Sequence, residues 1–251
     1  MQILSTCKEN LLNEFNSLCG DIYMKICICT TPIRPVPTAF PPLGSMAIIQ
    51  SLRKIGKEAE FYNIDYFRPP DEEVEAYFAL NQFDVVGISA VVSTAYKYTK
   101  FLTKLVRRVS PHTTIVVGGN MVASAEILLR QCEVDYCVMG DGEEIVQELI
   151  PGIENGWEPE EMKHISGLCF LDEHGKFCNT GYGKVPSGDE IDWPDYSILE
   201  ADGSLPHFIQ DYPDWYVDYG NEIPEHMRGK RSALIITTKG CVARCTFCHR
   251  F

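Results

Sequence analysis

Val85-Val-Gly-Ile-Ser89 and, one helix length later, Thr114-Ile-Val-Val117 are nearly continuous apolar runs. A strand with one face in water alternates apolar and polar residues, whereas an unbroken run suits a parallel strand covered on both faces. Three further short runs share this character, which predicts five strands over residues 25–30, 60–64, 85–89, 114–117 and 136–139. Helical patterns lie between them. Over 46–55, Ile48, Ile49, Leu52 and Ile55 fall on one helix face and Gly56 supplies a stop. Over 94–109, Phe101, Leu102, Leu105, Val106 and Val109 do the same, and Pro111 closes the segment. Shorter helices are predicted over 124–131 and 143–150. Such strand–helix repetition implies an α/β, Rossmann-like, doubly wound parallel sheet of flavodoxin-like order 2-1-3-4-5.

The flanks read differently. Residues 1–23 form an N-terminal extension, an extra helix or a start placed too far upstream. After the domain at 24–150, periodicity fades over 151–231, a linker whose residues 165–170 and 176–180 predict a β-hairpin around Asp172-Glu-His-Gly175. Trp193, Trp215, Tyr216 and Tyr219 in that linker are read as side chains that pin a long connection onto the domain, with ligand stacking as the alternative. Apolar character returns over 233–237, a sixth strand, and a cysteine-rich loop follows within the last segment, 232–251.

Composition narrows the function classes. The 251 residues fit one or two domains, and 22 Lys+Arg against 35 Asp+Glu leave a net charge of −13. A surface that negative repels phosphate backbones, so nucleic acid is excluded as a partner. No stretch approaches the roughly 20 apolar residues of a membrane helix, and the N-terminus lacks a basic and then apolar leader, so a cytoplasmic location is expected. Eleven cysteines in a reducing compartment point to metal binding or to burial rather than to disulfides. Cys27, Cys29 and Cys137 sit in strand-like runs, where a thiol behaves as a small hydrophobe.

Cys241, Cys245 and Cys248 are another matter: three thiolates within eight residues, led by Gly240, can converge on one metal centre. An iron–sulfur cubane on three ligands keeps one iron open for a small molecule. A closed zinc site with His249 as fourth ligand, or a redox Cys-x-x-Cys pair, are the alternatives. At the other end, the strand-to-helix loops carry Pro32, Pro35, Pro37, Pro41 and Pro42 before Leu43-Gly44, then Gly118-Gly119, then Gly140-Asp-Gly142-Glu143. In a doubly wound sheet these loops border the ligand crevice. They match neither a dinucleotide fingerprint nor a Walker loop.

The Cys-x3-Cys-x-aromatic-Cys spacing resembles the signature of radical S-adenosylmethionine (SAM) enzymes. The resemblance implies a [4Fe–4S] cluster on Cys241, Cys245 and Cys248, SAM on the open iron, and Phe247 near the adenine. The succession Pro41–Gly44, Asp84–Ser89, Val117–Gly119 and Gly140–Glu143 resembles the cobalamin-binding domain of the cobalamin-dependent members of that family. It implies a corrinoid on the strand ends, with Pro42, Leu43 and Val91 facing the ring and Ser89, Gly118, Gly119 and Gly142 lining the nucleotide tail. Gly44, Gly140 and Glu143 complete the matching segments, and Asn120 occupies a position often held by histidine in relatives. None of the six histidines falls between 31 and 44, so that loop offers no imidazole to the cobalt.

By the same resemblance, the intact protein is expected to transfer a methyl group to an unactivated carbon of a small-molecule or peptide substrate. Methylcobalamin would supply the methyl group, and an external donor would reduce the cluster. The barrel of the family takes roughly 250 residues, whereas three residues follow Cys248. The chain is therefore expected to end where the catalytic core begins, which leaves its catalytic residues and its own standing as an enzyme open. The alternatives are a freestanding corrinoid-binding module and a cysteine-cluster metal protein.

Overall fold

The computed structural model describes residues 24–184, 186–211, 225–227 and 229–235. Five parallel strands form its centre: β1 (Ile26–Thr30), β2 (Ala59–Tyr62), β3 (Val85–Ser89), β4 (Thr114–Gly118) and β5 (Tyr136–Val138), in the order β2-β1-β3-β4-β5. The 2-1-3-4-5 expectation is met, and β3 coincides with its sequence prediction residue for residue. In β1 the side chains alternate between two cores: Cys27 and Cys29 enter one, Ile26 and Ile28 the other. Both faces of every central strand are covered, which is why the runs read as continuous rather than alternating.

Helices α1 (Leu43–Lys54) and α6 (Gly142–Glu154) cover the face of Ile26 and Ile28. On the opposite face lie α3 (Asp71–Asn81), α4 (Tyr96–Val109) and α5 (Ala125–Gln131), and the short α2 (Ile64–Phe67) follows β2. Helix α3 has no counterpart in the sequence reading, because only Val74 and Phe78 along it are buried, a stripe too narrow to register as a periodic face. Helix α6 runs on through Pro151, where 143–150 had been expected, since burial of Leu149 and Ile150 holds its last turns against the sheet.

After α6 and the short α7 (Pro159–Met162), the predicted hairpin forms from β6 (Leu168–Leu171) and β7 (Phe177–Asn179), with Gly175 at φ +72° in its turn. It does not stand apart from the domain. Strand β6 pairs antiparallel with β5, and β7 with β6, so seven strands form one sheet. The chain then crosses back through α8 (Ser197–Ala201) and α9 (Leu205–Phe208), whose Ile198, Leu199 and Phe208 join the core under α1. Polar bonds hold this return: Arg53 pairs with Asp195 at 2.7 Å, Lys54 with Asp192 at 2.5 Å, and the Gln50 amide donates to the Trp193 carbonyl at 2.9 Å. The Trp193 ring itself is 73% exposed, so it pins nothing here, contrary to expectation. Trp215, Tyr216 and Tyr219 lie outside the described residues.

A separate antiparallel pair consists of β8 (Ile209–Asp211) and β9 (Arg231–Ala233). Strand β9 shares only Ala233 with the strand expected over 233–237: it ends there, paired with β8, and Leu234 and Ile235 follow it exposed and outside any strand. Residues 236–237 and the cluster cysteines lie outside the described residues.

Candidate functional site

The order in which strands are added reverses across the sheet between β1 and β3, because β1 leads outward to β2 while β3, β4 and β5 proceed the other way. The loops leaving the carboxyl ends of β1 and β3 therefore diverge, and a crevice opens between them. A cavity of about 520 Å³ occupies it, within the usual range for small-molecule sites. It runs from the strand ends down between the sheet and helices α1 and α6. Ile26, Ile28, Val85 and Val116 of the sheet face Ile48 and Leu52 of α1 and Val146 and Leu149 of α6 across it. The depth of the slot is apolar, and its mouth is polar.

The mouth is built by four loops. The first, residues 31–42, is fixed along its length by its own chain. The Thr31 hydroxyl donates to the Ser89 carbonyl at 2.8 Å and joins the ends of β1 and β3 across the reversal. The Thr94 hydroxyl donates to the Ile33 carbonyl at 2.9 Å, and Arg68 Nη2 to the Val36 carbonyl at 2.9 Å. Asp65 accepts from the Thr38 N–H at 3.0 Å and pairs with Arg68 at 2.7 Å, while His207 Nε2 donates to the Thr38 carbonyl at 3.0 Å. Arg68 reaches back over the loop from a left-handed backbone, φ +48°, which a non-glycine residue adopts only under constraint. The loop ends at Pro42, Leu43 and Gly44, all on the cavity wall.

The second loop follows β3. Ser89 and Val91 line the cavity there, and Val91 and Phe40 form an exposed apolar rim. The third and fourth contributions, Gly118, Gly119 and Asn120 after β4 and Gly140, Gly142 and Glu143 after β5, line it as well. All eleven corrinoid-contact positions expected from the sequence within the described residues thus come together around one cavity. Phe247, Cys241, Cys245 and Cys248 lie outside those residues.

The glycines are there for different reasons. Gly119 has φ +93° and ψ 174°, and a Cβ on it would stand 2.7 Å from the Ala90 carbonyl oxygen. That conformation is open essentially to glycine alone. It lets the Ala90 N–H donate to the Gly118 carbonyl at 2.9 Å and the Met121 N–H to the Ala90 carbonyl at 3.1 Å. Gly142 lets α1 approach α6, since a Cβ there would meet Ile48 Cδ1 at 2.9 Å. These two answer to the protein's own packing. A Cβ on Gly118 or Gly44 would meet nothing within 4 Å, so those two leave open room.

Sequence reasoning missed the depth of the slot. Ile48, Leu52, Val146 and Leu149 read as ordinary core faces of α1 and α6, which they also are. Phe208, Asn63 and Asp65 reach the wall through contacts distant in the chain, and no local pattern marks them. Two further hydroxyls on the wall, Thr38 Oγ1 and Ser45 Oγ, are buried without a hydrogen-bond partner. Such a group costs about 1–3 kcal/mol unless something bonds it. A ligand with an apolar plane for the slot and polar groups for the mouth fits this wall, and a corrinoid with a nucleotide tail has both. Among the described residues no histidine lines the cavity.

The buried thiols take no part. Desolvation pushes Cys29 up to about 12 and Cys169 up to about 11, so both stay protonated and inert. Among the described residues no helix is long and apolar enough to cross a membrane.

The B12 binding domain family model matches residues 31–150, the span that supplies most of this cavity's wall. The chain is 24% identical over 221 residues to the anaerobic magnesium-protoporphyrin IX monomethyl ester cyclase of Cereibacter sphaeroides, a match covering 85% of this chain and 32% of that protein. It is 24% identical over 245 residues to the cytidylyl-2-hydroxyethylphosphonate methyltransferase of Streptomyces wedmorensis, covering 85% and 44% respectively. The chain thus spans about a third to under a half of the length of these relatives. Its fold is shared with the radical SAM methyltransferase TsrM of Kitasatospora setae, solved with cobalamin and a [4Fe–4S] cluster, at a TM-score of 0.55 and 19% identity over 69% of this chain and 31% of that one. Residues 31–150 thus match the B12 binding domain family and have a Rossmann-like fold, in a chain similar to cobalamin-dependent radical SAM enzymes.

Proposed function

We propose that this protein brings a corrinoid held by its sheet next to a [4Fe–4S] cluster held by Cys241, Cys245 and Cys248, as the front part of a cobalamin-dependent radical SAM methyltransferase. One observation carries the corrinoid half: eleven positions from four separate loops line a single slot at the strand-order reversal, within the residues that match the B12-binding family. In this reading residues 24–150 carry the corrinoid, 151–231 add their hairpin to the same sheet and lead on, and 232–251 start the radical domain. Phe247 would lie beside the adenine of SAM, and an external donor would reduce the cluster. The similarity to two methyltransferases supports methyl transfer as the reaction class.

The chemistry that bound cobalamin and SAM supply together is methyl donation paired with generation of a substrate radical. The residues at hand have simpler tasks. The pinned loop at 31–42 and the apolar rim of Phe40 and Val91 offer a flat, water-poor seat for the corrin ring. Ile28, Ile48 and Leu149, in the slot between α1, α6 and the sheet, would hold the benzimidazole end of the tail, because burying that ring there removes apolar surface from water.

Anaerobic reconstitution with iron, sulfide and hydroxocobalamin, followed by metal counting and absorption spectra, tests this reading. The expected product holds about one cobalt and four irons per chain. A second reading, a corrinoid-binding module without radical chemistry, is favoured by a cavity whose lining among the described residues lies wholly before residue 209. Cobalt without iron would select it. Zinc in place of iron would select a closed metal site, and uptake of neither cobalt nor iron would defeat the proposal.

A further inference from the structure

Three buried side-chain polar atoms among the described residues have no hydrogen-bond partner, and two of them, Thr38 Oγ1 and Ser45 Oγ, belong to the wall of one cavity. Ser45 is the sharper case. It is 2% exposed, lies in the first turn of α1, and sits one turn above Ile48, where the wall becomes apolar. Nothing in the sequence reading singled it out.

Its surroundings define the group it would bind. Helix α1 is twelve residues long, its cap Pro42 makes no side-chain cap bond, and no acidic residue lies in its first turn. The positive end of its dipole is therefore unopposed from within the helix. Helix α6 also opens at the mouth, but it brings Glu143 and Glu144 to its own first turn. Among the described residues no lysine or arginine lines the cavity. An anion entering here has a helix end and a hydroxyl to hold it, and of the two helix ends only α1 lacks a carboxylate of its own.

Resting on the corrinoid reading above, we propose that the first turn of α1, with the Ser45 hydroxyl as donor, seats the phosphodiester of the corrinoid's nucleotide tail. The order of groups along that tail agrees with the wall. The apolar base lies deepest, between Ile48, Leu52 and the sheet, and the ribose and phosphodiester follow towards the mouth at the height of Ser45. Ser45 is a binding residue that discriminates corrinoids with a nucleotide loop from those without one.

The test compares the full chain with its Ser45→Ala variant for binding of hydroxocobalamin and of cobinamide, which lacks the phosphodiester, ribose and base, by equilibrium dialysis read at the corrinoid absorbance. Loss of one charge-assisted hydrogen bond should weaken cobalamin binding about tenfold. Cobinamide binding should stay within about twofold, and the ligand-free variant should melt no lower than the wild type because a buried unpartnered hydroxyl is gone. Cobinamide also serves as the check that the variant is folded. Equal loss for both ligands, or undiminished cobalamin binding by the variant, overturns the assignment of Ser45 alone. A wild-type chain that takes up neither corrinoid overturns the corrinoid reading and this inference with it.

Discussion

Adjacent glycines at the end of β4 offer a direct separation of protein space from ligand space. Gly119 occupies backbone that only glycine tolerates, with a Cβ position 2.7 Å from one backbone atom of Ala90 and 3.0 Å from another. Gly119→Ala should therefore cost about 1–3 kcal/mol for the conformation alone, with the clash against an immovable carbonyl added. At roughly 2–4 °C per kcal/mol for a chain of this size, a total near 2 kcal/mol lowers the melting temperature by about 4–8 °C. Gly118→Ala places a methyl group where nothing lies within 4 Å, so the ligand-free protein should keep its stability to within about 0.5 kcal/mol. If the corrinoid tail passes there, the same methyl group should reduce hydroxocobalamin affinity several-fold. Thermal melts of both ligand-free variants, followed by dialysis against hydroxocobalamin, measure the two effects separately. The reasoning fails if Gly118→Ala destabilises as much as Gly119→Ala, or if it leaves corrinoid affinity untouched.

Other expectations follow from the same geometry. Asp65→Ala removes the acceptor of the Thr38 N–H and the partner of Arg68, so it should cost about 1–3 kcal/mol and speed amide exchange at Thr38, and unchanged exchange would contradict the pinned loop. Because desolvation raises Cys29 to about 12, the native chain at pH 9 should leave Cys29 unalkylated by iodoacetamide while half-buried Cys178 reacts, as mass spectrometry of the peptides would show. Lys184, and then Ser187, hold the Glu190 carboxyl down at about 2. Its contribution is therefore complete above the ordinary carboxylate value of 4.5 and fades as pH falls towards about 2; NMR titration should show the low midpoint, and Lys184→Ala or added salt should raise it. Cys241→Ala should abolish iron uptake and leave cobalt uptake intact, and loss of both would argue against independent sites.

The central sheet was legible because β3 and β4 are buried on both faces and their sequences carry that burial directly. Helix α3 was not, since two buried residues in eleven leave no periodic face. The hairpin was legible as a hairpin, but its attachment to β5 depends on Leu168 and Cys169 meeting Val138 and Cys137, a pairing across some thirty residues that no local pattern records. The same division holds at the site. Pro42, Gly118 and Gly142 sit in loops that strand-to-helix geometry places at one end of the sheet, so they could be named in advance. Ser45 and Thr38 could not, because an unpartnered hydroxyl is defined by what fails to approach it. Asp65 and His207 act on the mouth through Thr38, one from 27 and the other from 169 positions away.

The clasp formed by Asp65, Arg68, Thr94 and His207 around residues 31–42 bears on kinetics. A rim already rigid before its guest arrives loses little freedom on association. Uptake should then show a single phase whose rate rises in proportion to corrinoid concentration, and release should depend on withdrawing the tail from the slot rather than on a gate.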